Sequence, residues 1–229
     1  MTRPGPLPFV FVNMAMTADG KISTANRFVS SFGSKQDLKH LYELRATADA
    51  VMAGARTAEV IDLKMGPGGK RFEALRLRNG LNRFNLRIVV SGSGSVDPNA
   101  TIFQHRFSPI IVVTSSRAPA ARLASLRKVA DEVVVAGNRE VDFEFVFRHL
   151  RRQWNVRRLL SEGGGELNDA VFRAGLVDEL HLTICPKIFG GRAAPTIVDG
   201  RGFRFLREAA VMKLKSMRRA GPEVFLVYA

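Results

Sequence analysis

The runs Arg87-Ile88-Val89-Val90 and Ile110-Ile111-Val112-Val113 constrain the fold more than any other feature of the chain. Their β-branched side chains point to both faces of a strand, and a parallel sheet covered on both sides is the arrangement that buries both faces. Ala50–Ala53, Val133–Val135 and Val156–Leu160 repeat the pattern, and segments of helical period separate several of these strands. Those helices are expected at 120–128, at 143–154 with Val146 and Leu150 at i, i+4, and at 166–173, closed by Gly175 as a C′ residue. Phe9–Val12 opens the chain as a strand and runs into a turn at Asp19-Gly20-Lys21. Ser34 reads as an N-cap with Asp37 completing an approximate capping box, followed by Leu38, Leu41, Tyr42 and Arg45 at helical spacing. Residues 62–85 are rich in Gly, Lys and Arg and read as a long functional loop rather than an element. At the C-terminal end, 180–184, 209–217 and 224–228 are strands without intervening helices, which implies antiparallel pairing. The expectation is a single α/β domain over residues 1–229, with a mostly parallel sheet and an antiparallel C-terminal edge.

Composition enters as a filter. With 46% hydrophobic and 24% charged residues, the 229-residue chain is typical of globular proteins and excludes disordered, collagen-like and coiled-coil classes. Its apolar runs fall far short of the ~18 residues a membrane span needs. The opening segment lacks the unbroken apolar region of a signal peptide, so a cytoplasmic protein is expected. A lone cysteine, Cys185, permits neither an internal disulfide nor a cysteine-based zinc site and reads as a buried structural thiol. Four scattered histidines, His40, His105, His149 and His181, show no metal-ligand spacing, so no metal is expected. The formal net charge of +14 is less ordinary, and basic residues concentrate at 64–87 and 201–219. Phosphorylated small molecules suit such a charge. Nucleic acid is disfavoured because no aromatic-interleaved basic motif is read alongside it.

Three loops carry chemistry. Glu162-Gly163-Gly164-Gly165 lies between a buried strand and a helix, where glycines let backbone amides approach a phosphate at the helix N-terminus. One glycine would serve a plain tight turn; three favour a ligand. Gly92-Ser93-Gly94-Ser95 and Thr114-Ser115-Ser116 follow two other strands at what would be the same carboxyl edge of the sheet. Gly66-Pro67-Gly68-Gly69-Lys70-Arg71 resembles a phosphate-binding P-loop only superficially, since Lys64 and Arg71 stand where a glycine and a hydroxyl are required. These residues together point to a binder of a phosphorylated, nucleotide-like ligand, most simply an oxidoreductase.

Four stretches in order then resemble the riboflavin-biosynthesis pyrimidine reductases over nearly the whole chain. They are Asn13-Met14-Ala15-Met16-Thr17-Ala18-Asp19-Gly20-Lys21-Ile22, Leu44-Arg45-Ala46 through Thr57, Leu160-Ser161-Glu162-Gly163-Gly164-Gly165 with Leu167 and Asn168, and Gly175–Leu180 followed by Cys185–Gly191. The resemblance implies a dihydrofolate-reductase-like, three-layer αβα domain. It also implies NADPH-dependent reduction of the ribosyl group of a 5-phosphoribosylaminopyrimidine to ribityl, in a homodimer. Carried over by position, Thr57, Gly92, Ser93, Glu162, Gly163, Gly164, Gly165 and Leu167 would contact NADPH. Asp19, Ser30, Ser34, Arg45 and Glu162 would contact substrate, and no dedicated proton donor can be named. The chain departs from the family where an acidic residue is usual four positions after Thr57: Ile61 stands there, Asp62 comes one residue late, and the basic stretch 64–83 replaces the family's substrate segment. With one cysteine, the zinc deaminase half of the bifunctional bacterial enzymes is not expected here. Reduction of dihydrofolate or another pterin is the alternative activity, and a non-catalytic nucleotide or nucleic-acid binder is the alternative of another class.

Overall fold

The computed structural model describes residues 6–27, 32–59 and 64–229. Two compact units make up the chain, one formed by residues 1–9 and 44–160 and the other by residues 10–43 and 161–229.

The first unit holds strands β2 (Ala50–Gly54), β3 (Leu86–Val90), β4 (Ile110–Thr114), β5 (Glu132–Val135) and β6 (Arg158–Ser161), in the order β5-β4-β3-β2-β6. The pairings β2–β3, β3–β4 and β4–β5 are all parallel. Val51, Met52, Ile88, Val89, Ile111 and Val112 are wholly buried, as runs that are apolar on both faces require. Between the strands lie α2 (Ala55–Ala58), α3 (Lys70–Arg78), α4 (Thr101–Gln104), α5 (Ala120–Val129) and α6 (Phe143–Gln153). In α6, Phe143, Val146, Phe147 and Leu150 make one buried stripe, and the Asp142 side chain caps the helix by accepting from the Phe145 amide at 3.0 Å.

The second unit carries β1 (Phe9–Thr17), β7 (Glu179–Cys185), β9 (Glu223–Tyr228) and β8 (Leu214–Ala220), in the order β1-β7-β9-β8. β1 and β7 are parallel, with Asn13 opposite His181, while β7–β9 and β9–β8 are antiparallel. One face, formed by Val12, Met14, Leu180 and Leu182, packs against Phe172 of α7 (Gly165–Arg173). On the other face, His181 and Phe225 meet His40 of α1 (Lys35–Arg45). Helix, sheet and helix thus form the expected three layers. α7 ends as anticipated at Gly175 (φ +66°), where the Gly175 amide donates to the Phe172 carbonyl and the Leu176 amide to that of Val171.

Three expectations are corrected. The stretch 62–85 contains α3, a nine-residue helix whose buried positions are Phe72 and Arg76; a buried arginine hid its apolar face. β7 is flanked by a parallel as well as an antiparallel partner. The segment from 209 becomes a strand only at Leu214, after a 3-10 turn at Leu206–Glu208, and nearly all of β8 is exposed.

Candidate active site

In the second unit the turn from β6 into α7 is built from Ser161 to Gly165. Gly163 has φ +72°, and a Cβ there would lie 2.6 Å from Met14 Sδ. The Gly163–Gly164 peptide is cis. A Cβ on Gly165 would fall 2.8 Å from the Thr196 carbonyl oxygen and 2.9 Å from the Asp199 amide nitrogen. The fold itself therefore requires glycine at 163 and at 165. Gly164, the N-cap of α7, has φ −61°, which any residue can adopt. Leu167 points into the core, so only its backbone is available to a ligand. Glu162 is half-buried beside the turn.

The polar atoms of this unit that are buried without a hydrogen-bond partner include Ser161 Oγ and Asn168 Oδ1 at the turn, Asn13 Oδ1 on β1, and Nδ1 of His181 and Oγ1 of Thr183 on β7. Ser161 and Asn168 bracket the glycine turn, and the Asn168 amide nitrogen, which donates to the Ile197 carbonyl at 2.8 Å, would lie 3.2 Å from a Gly163 Cβ. Orphaned acceptors are costly in a finished interior, so they mark a place where a polar ligand completes the bonding. A cofactor with amide and phosphate groups fits this turn. Sequence reasoning missed Asn13 and Asn168 as site residues, although a lone amide inside the strand Phe9–Thr17 was a visible signal.

Asp19 and Ser34 have other duties. The Asp19 carboxylate accepts from Thr17 Oγ1 at 2.5 Å and from the amides of Phe189 at 3.2 Å and Gly190 at 2.7 Å. The Thr17 hydroxyl leads in holding its pKa below the usual carboxylate value. These bonds make Asp19 a charged staple on the 187–191 turn. Ser34 caps α1 as expected, its Oγ accepting from the Gln36 amide at 3.0 Å. The Asp37 amide also donates to Ser34 Oγ, at 3.3 Å, so half of the expected box is present, but the reciprocal carboxylate is not that of Asp37. The Ser34 amide and hydroxyl donate to the two oxygens of buried Glu223, at 2.7 and 2.6 Å. A phosphate at Ser34 would face that carboxylate, so the arrangement makes Ser34 a cap rather than an anion contact. Ser30 lies outside the described residues. Cys185 is buried as expected, its Sγ 3.6 Å from Glu223 Oε1, and burial pushes its pKa up to about 12.

In the first unit Thr57 sits half-buried in α2. The loop after β3 meets the loop after β4: the Gly92 carbonyl accepts from Ser115 Oγ at 2.7 Å and from Thr114 Oγ1 at 3.2 Å. Gly94 is needed for the turn (φ +67°), whereas a Cβ on Gly92 would touch nothing nearer than Val141 at 4.0 Å. Gly92 and its neighbour Ser93 thus edge an open space that internal packing does not demand. Arg45 is 5% exposed, and its Nη1 donates to the Gly66 carbonyl at 2.6 Å. Asn85 Nδ2 donates to the Met65 carbonyl at 2.8 Å, and Arg87 Nη1 reaches that of Lys64 at 3.5 Å. Three buried side chains therefore hold three consecutive carbonyls of an irregular segment, and Arg45 acts on that segment at least as directly as on any ligand. Arg76, 1% exposed, donates to the carbonyls of Arg45, Ala48 and Asn82, which removes it from the phosphate-binding candidates in 64–83.

The histidines are less scattered than their spacing suggests. His40 and His181 lie 5.7 Å apart, and His149 Nε2 bonds Glu132 at 2.7 Å. Among the described residues no group of three or more His, Cys, Asp or Glu side chains could hold a metal ion. A basic stretch interleaved with aromatic residues does exist, contrary to the sequence reading: Arg204 and Arg207 stack on the Phe205 ring at 5.4 and 4.7 Å. No helix among the described residues is long and apolar enough to cross a membrane.

The RibD C-terminal domain model matches residues 8–226. The 2,5-diamino-6-ribosylamino-4(3H)-pyrimidinone 5′-phosphate reductase of Methanothermobacter thermautotrophicus is 36% identical over 221 residues, 96% of this chain and 97% of that protein. The enzyme of the same description from Archaeoglobus fulgidus is 34% identical, covering 91% of this chain and 93% of its own. Among solved structures, a pyrimidine reductase-like protein from Corynebacterium diphtheriae superposes with a TM-score of 0.78 at 22% identity, covering 96% of this chain and 91% of that one. A β6–α7 glycine turn flanked by orphaned polar atoms, a three-layer second unit and a match over nearly the full length agree, and the chain belongs to the RibD C-terminal domain family.

Proposed function

We propose that the protein is an NADPH-dependent reductase of riboflavin biosynthesis. It would convert the ribosyl group of 2,5-diamino-6-ribosylamino-4(3H)-pyrimidinone 5′-phosphate, or of the corresponding uracil, to ribityl. The carrying observation is the end-to-end likeness to the Methanothermobacter reductase. When bound, NADPH supplies the hydride delivered to C1′ of the opened sugar. The chain's own part is to bind and orient. Gly164 gives backbone access at the N-terminus of α7, where the helix dipole favours a phosphate. Ser161 and Asn168 offer unpaired polar atoms to the cofactor's amide, and we assign Asn13 and Glu162 to the substrate. Thr57, Gly92 and Ser93 are assigned to the cofactor as well. Lys64, Lys70 and Arg71, all exposed on or just after the clamped segment, are the basic groups assigned to the substrate phosphate. One catalytic domain acting in the cytoplasm as a homodimer is the setting we infer.

The deciding assay follows NADPH oxidation with the phosphoribosylaminopyrimidine, its dephosphorylated form and dihydrofolate in parallel. Turnover confined to the phosphorylated pyrimidine is expected; turnover of dihydrofolate alone would move the assignment to a pterin reductase. Hydrogen bonds to the extra phosphate of NADPH, about 1.5–3 kcal/mol each, predict at least about tenfold tighter binding than NADH. Equal affinities in titration calorimetry would refute the cofactor assignment.

A further inference from the structure

Beyond the glycine turn, the second unit contains a cleft of about 500 Å3 between α1 and the β7-β9-β8 strands. Gln36, Lys39, His40 and Glu43 form its helical wall, and His181, Ser216, Arg218, Phe225 and Val227 its sheet side. None of these residues belongs to the 161–168 turn or to the positions carried over from the family. The cleft contains a guanidinium and an imidazole that the chain leaves without hydrogen bonds. Arg218 stacks on the Phe225 ring, with Cζ 4.4 Å from its centroid, and neither the Arg218 guanidinium nor the His40 ring makes a hydrogen bond among the described residues. His181, more than nine-tenths buried, donates from Nε2 to Glu179 at 2.9 Å, which leaves Nδ1 unpartnered and a donor to an anion only when the ring takes up a second proton. The acidic side chain at the rim, Glu43, is already paired with Lys39 at 3.4 Å.

We propose that this cleft binds a small organic phosphate, at a site separate from the cofactor turn. A phosphate brings several strong acceptor oxygens, which is what a guanidinium, an ammonium, an amide, a hydroxyl and an imidazole N–H would collectively satisfy. The volume exceeds that of the anion alone, and Phe225 and Val227 supply an apolar floor for the organic part. His40 reports on the site. Burial, with His181 and Arg218 nearby, lowers its pKa to about 4, and a bound anion would reverse that electrostatic effect.

The test is a histidine NMR titration of the full chain with inorganic pyrophosphate as the probe, comparing wild type with Arg218→Gln and Lys39→Gln. Lys39 is exposed, so its variant tests the site without threatening the fold. The expected result is a saturable shift of the His40 resonance, with its pKa rising from about 4, and an affinity weakened about tenfold or more in Arg218→Gln. Turnover and NADPH affinity stay unchanged in both variants. Three outcomes would overturn the proposal. One is no His40 response at about 10 mM probe, tenfold above a millimolar Kd. Another is a response that both variants retain. The last is sedimentation showing a dimer that Arg218→Gln dissociates, which would mean that a second copy covers the cleft.

Discussion

Substituting the three glycines of the β6–α7 turn one at a time separates what folding demands from what a ligand demands. At Gly163 an alanine must hold φ +72°, at about 1–2 kcal/mol, and its Cβ must displace Met14 Sδ from 2.6 Å, at about 1–3 kcal/mol of overpacking. The flexible Met14 side chain can give way, so the total for Gly163→Ala is about 2–4 kcal/mol. At Gly165 the obstruction is backbone, the Thr196 carbonyl and the Asp199 amide, which cannot rotate aside. Overpacking against fixed backbone falls at the upper end of the range, and Gly165 is the first residue of α7, where alanine gains little over glycine, so Gly165→Ala is about 2–3 kcal/mol less stable. Gly164, at φ −61°, carries no such conformational demand. Gly164→Val is expected to abolish NADPH binding, because its side chain fills the space assigned to the pyrophosphate. Urea unfolding with linear extrapolation gives the stabilities, and calorimetric titration gives the affinities. A Gly164→Val protein that binds NADPH normally, or a fully stable Gly163→Ala protein that has lost it, would refute this division of roles.

Other expectations follow from buried groups. Arg76→Met strands the carbonyls of Arg45, Ala48 and Asn82 and should cost about 2–4 kcal/mol in thermal or urea unfolding, with KM unchanged. An unaltered stability would contradict its structural role. Arg45→Ala releases the Gly66 carbonyl and with it the segment that presents Lys64, so it should lower turnover efficiency roughly 30-fold or more while leaving NADPH affinity nearly constant, which steady-state kinetics and calorimetry distinguish. His40 titrates near 4 when folded against 6.5 ordinarily, so below about pH 6.5 the unfolded chain takes up a proton that the folded chain refuses. Stability should therefore fall between pH 6.5 and 4, by at most about 3 kcal/mol, and unfolding of His40→Asn should lack that component. Any DNA or RNA binding should be weak and lost near physiological salt; tight retention there would favour the alternative of a nucleic-acid binder.

Strand and helix positions were legible because their physics is local. The β3 and β4 runs, the α6 stripe and the Gly175 cap each declare themselves within a dozen residues. What stayed hidden depends on distant partners. No local pattern reveals that the box around Ser34 is closed by Glu223, 189 residues away, rather than by Asp37. Nor does one show that Asp19 holds the amides of Phe189 and Gly190. The glycine turn was found correctly, but its composition overstated the ligand's share, since Met14 and the 196–199 backbone already demand two of the three glycines. Asn13 and Asn168 were visible as letters, and only the burial of their Oδ1 atoms without partners makes them candidates for the site.

The same distinction changes the meaning of the +14 charge. Net charge speaks for the surface field only if the charges are on the surface. Arg45, Arg76 and Arg87 are interior, and each donates to a backbone carbonyl of an irregular segment, those of Gly66, Ala48 and Ser108 respectively. The five-donor guanidinium can satisfy several such carbonyls at once, which a hydrophobic side chain cannot. Burial lowers the pKa of Arg76 and of Arg87 to about 10, still well above neutrality, so both remain charged inside the unit. Part of the positive charge in 64–87 is therefore architectural: it holds the 64–66 backbone in place and leaves Lys64, Lys70 and Arg71 outside. The 201–219 cluster is the opposite case. There Arg204 and Arg207 stack on half-exposed Phe205, and β8 carries Lys215, Arg218 and Arg219 along an open edge. That edge, rather than the arginine-rich stretch read first as a loop, is where the chain's charge acts as a field.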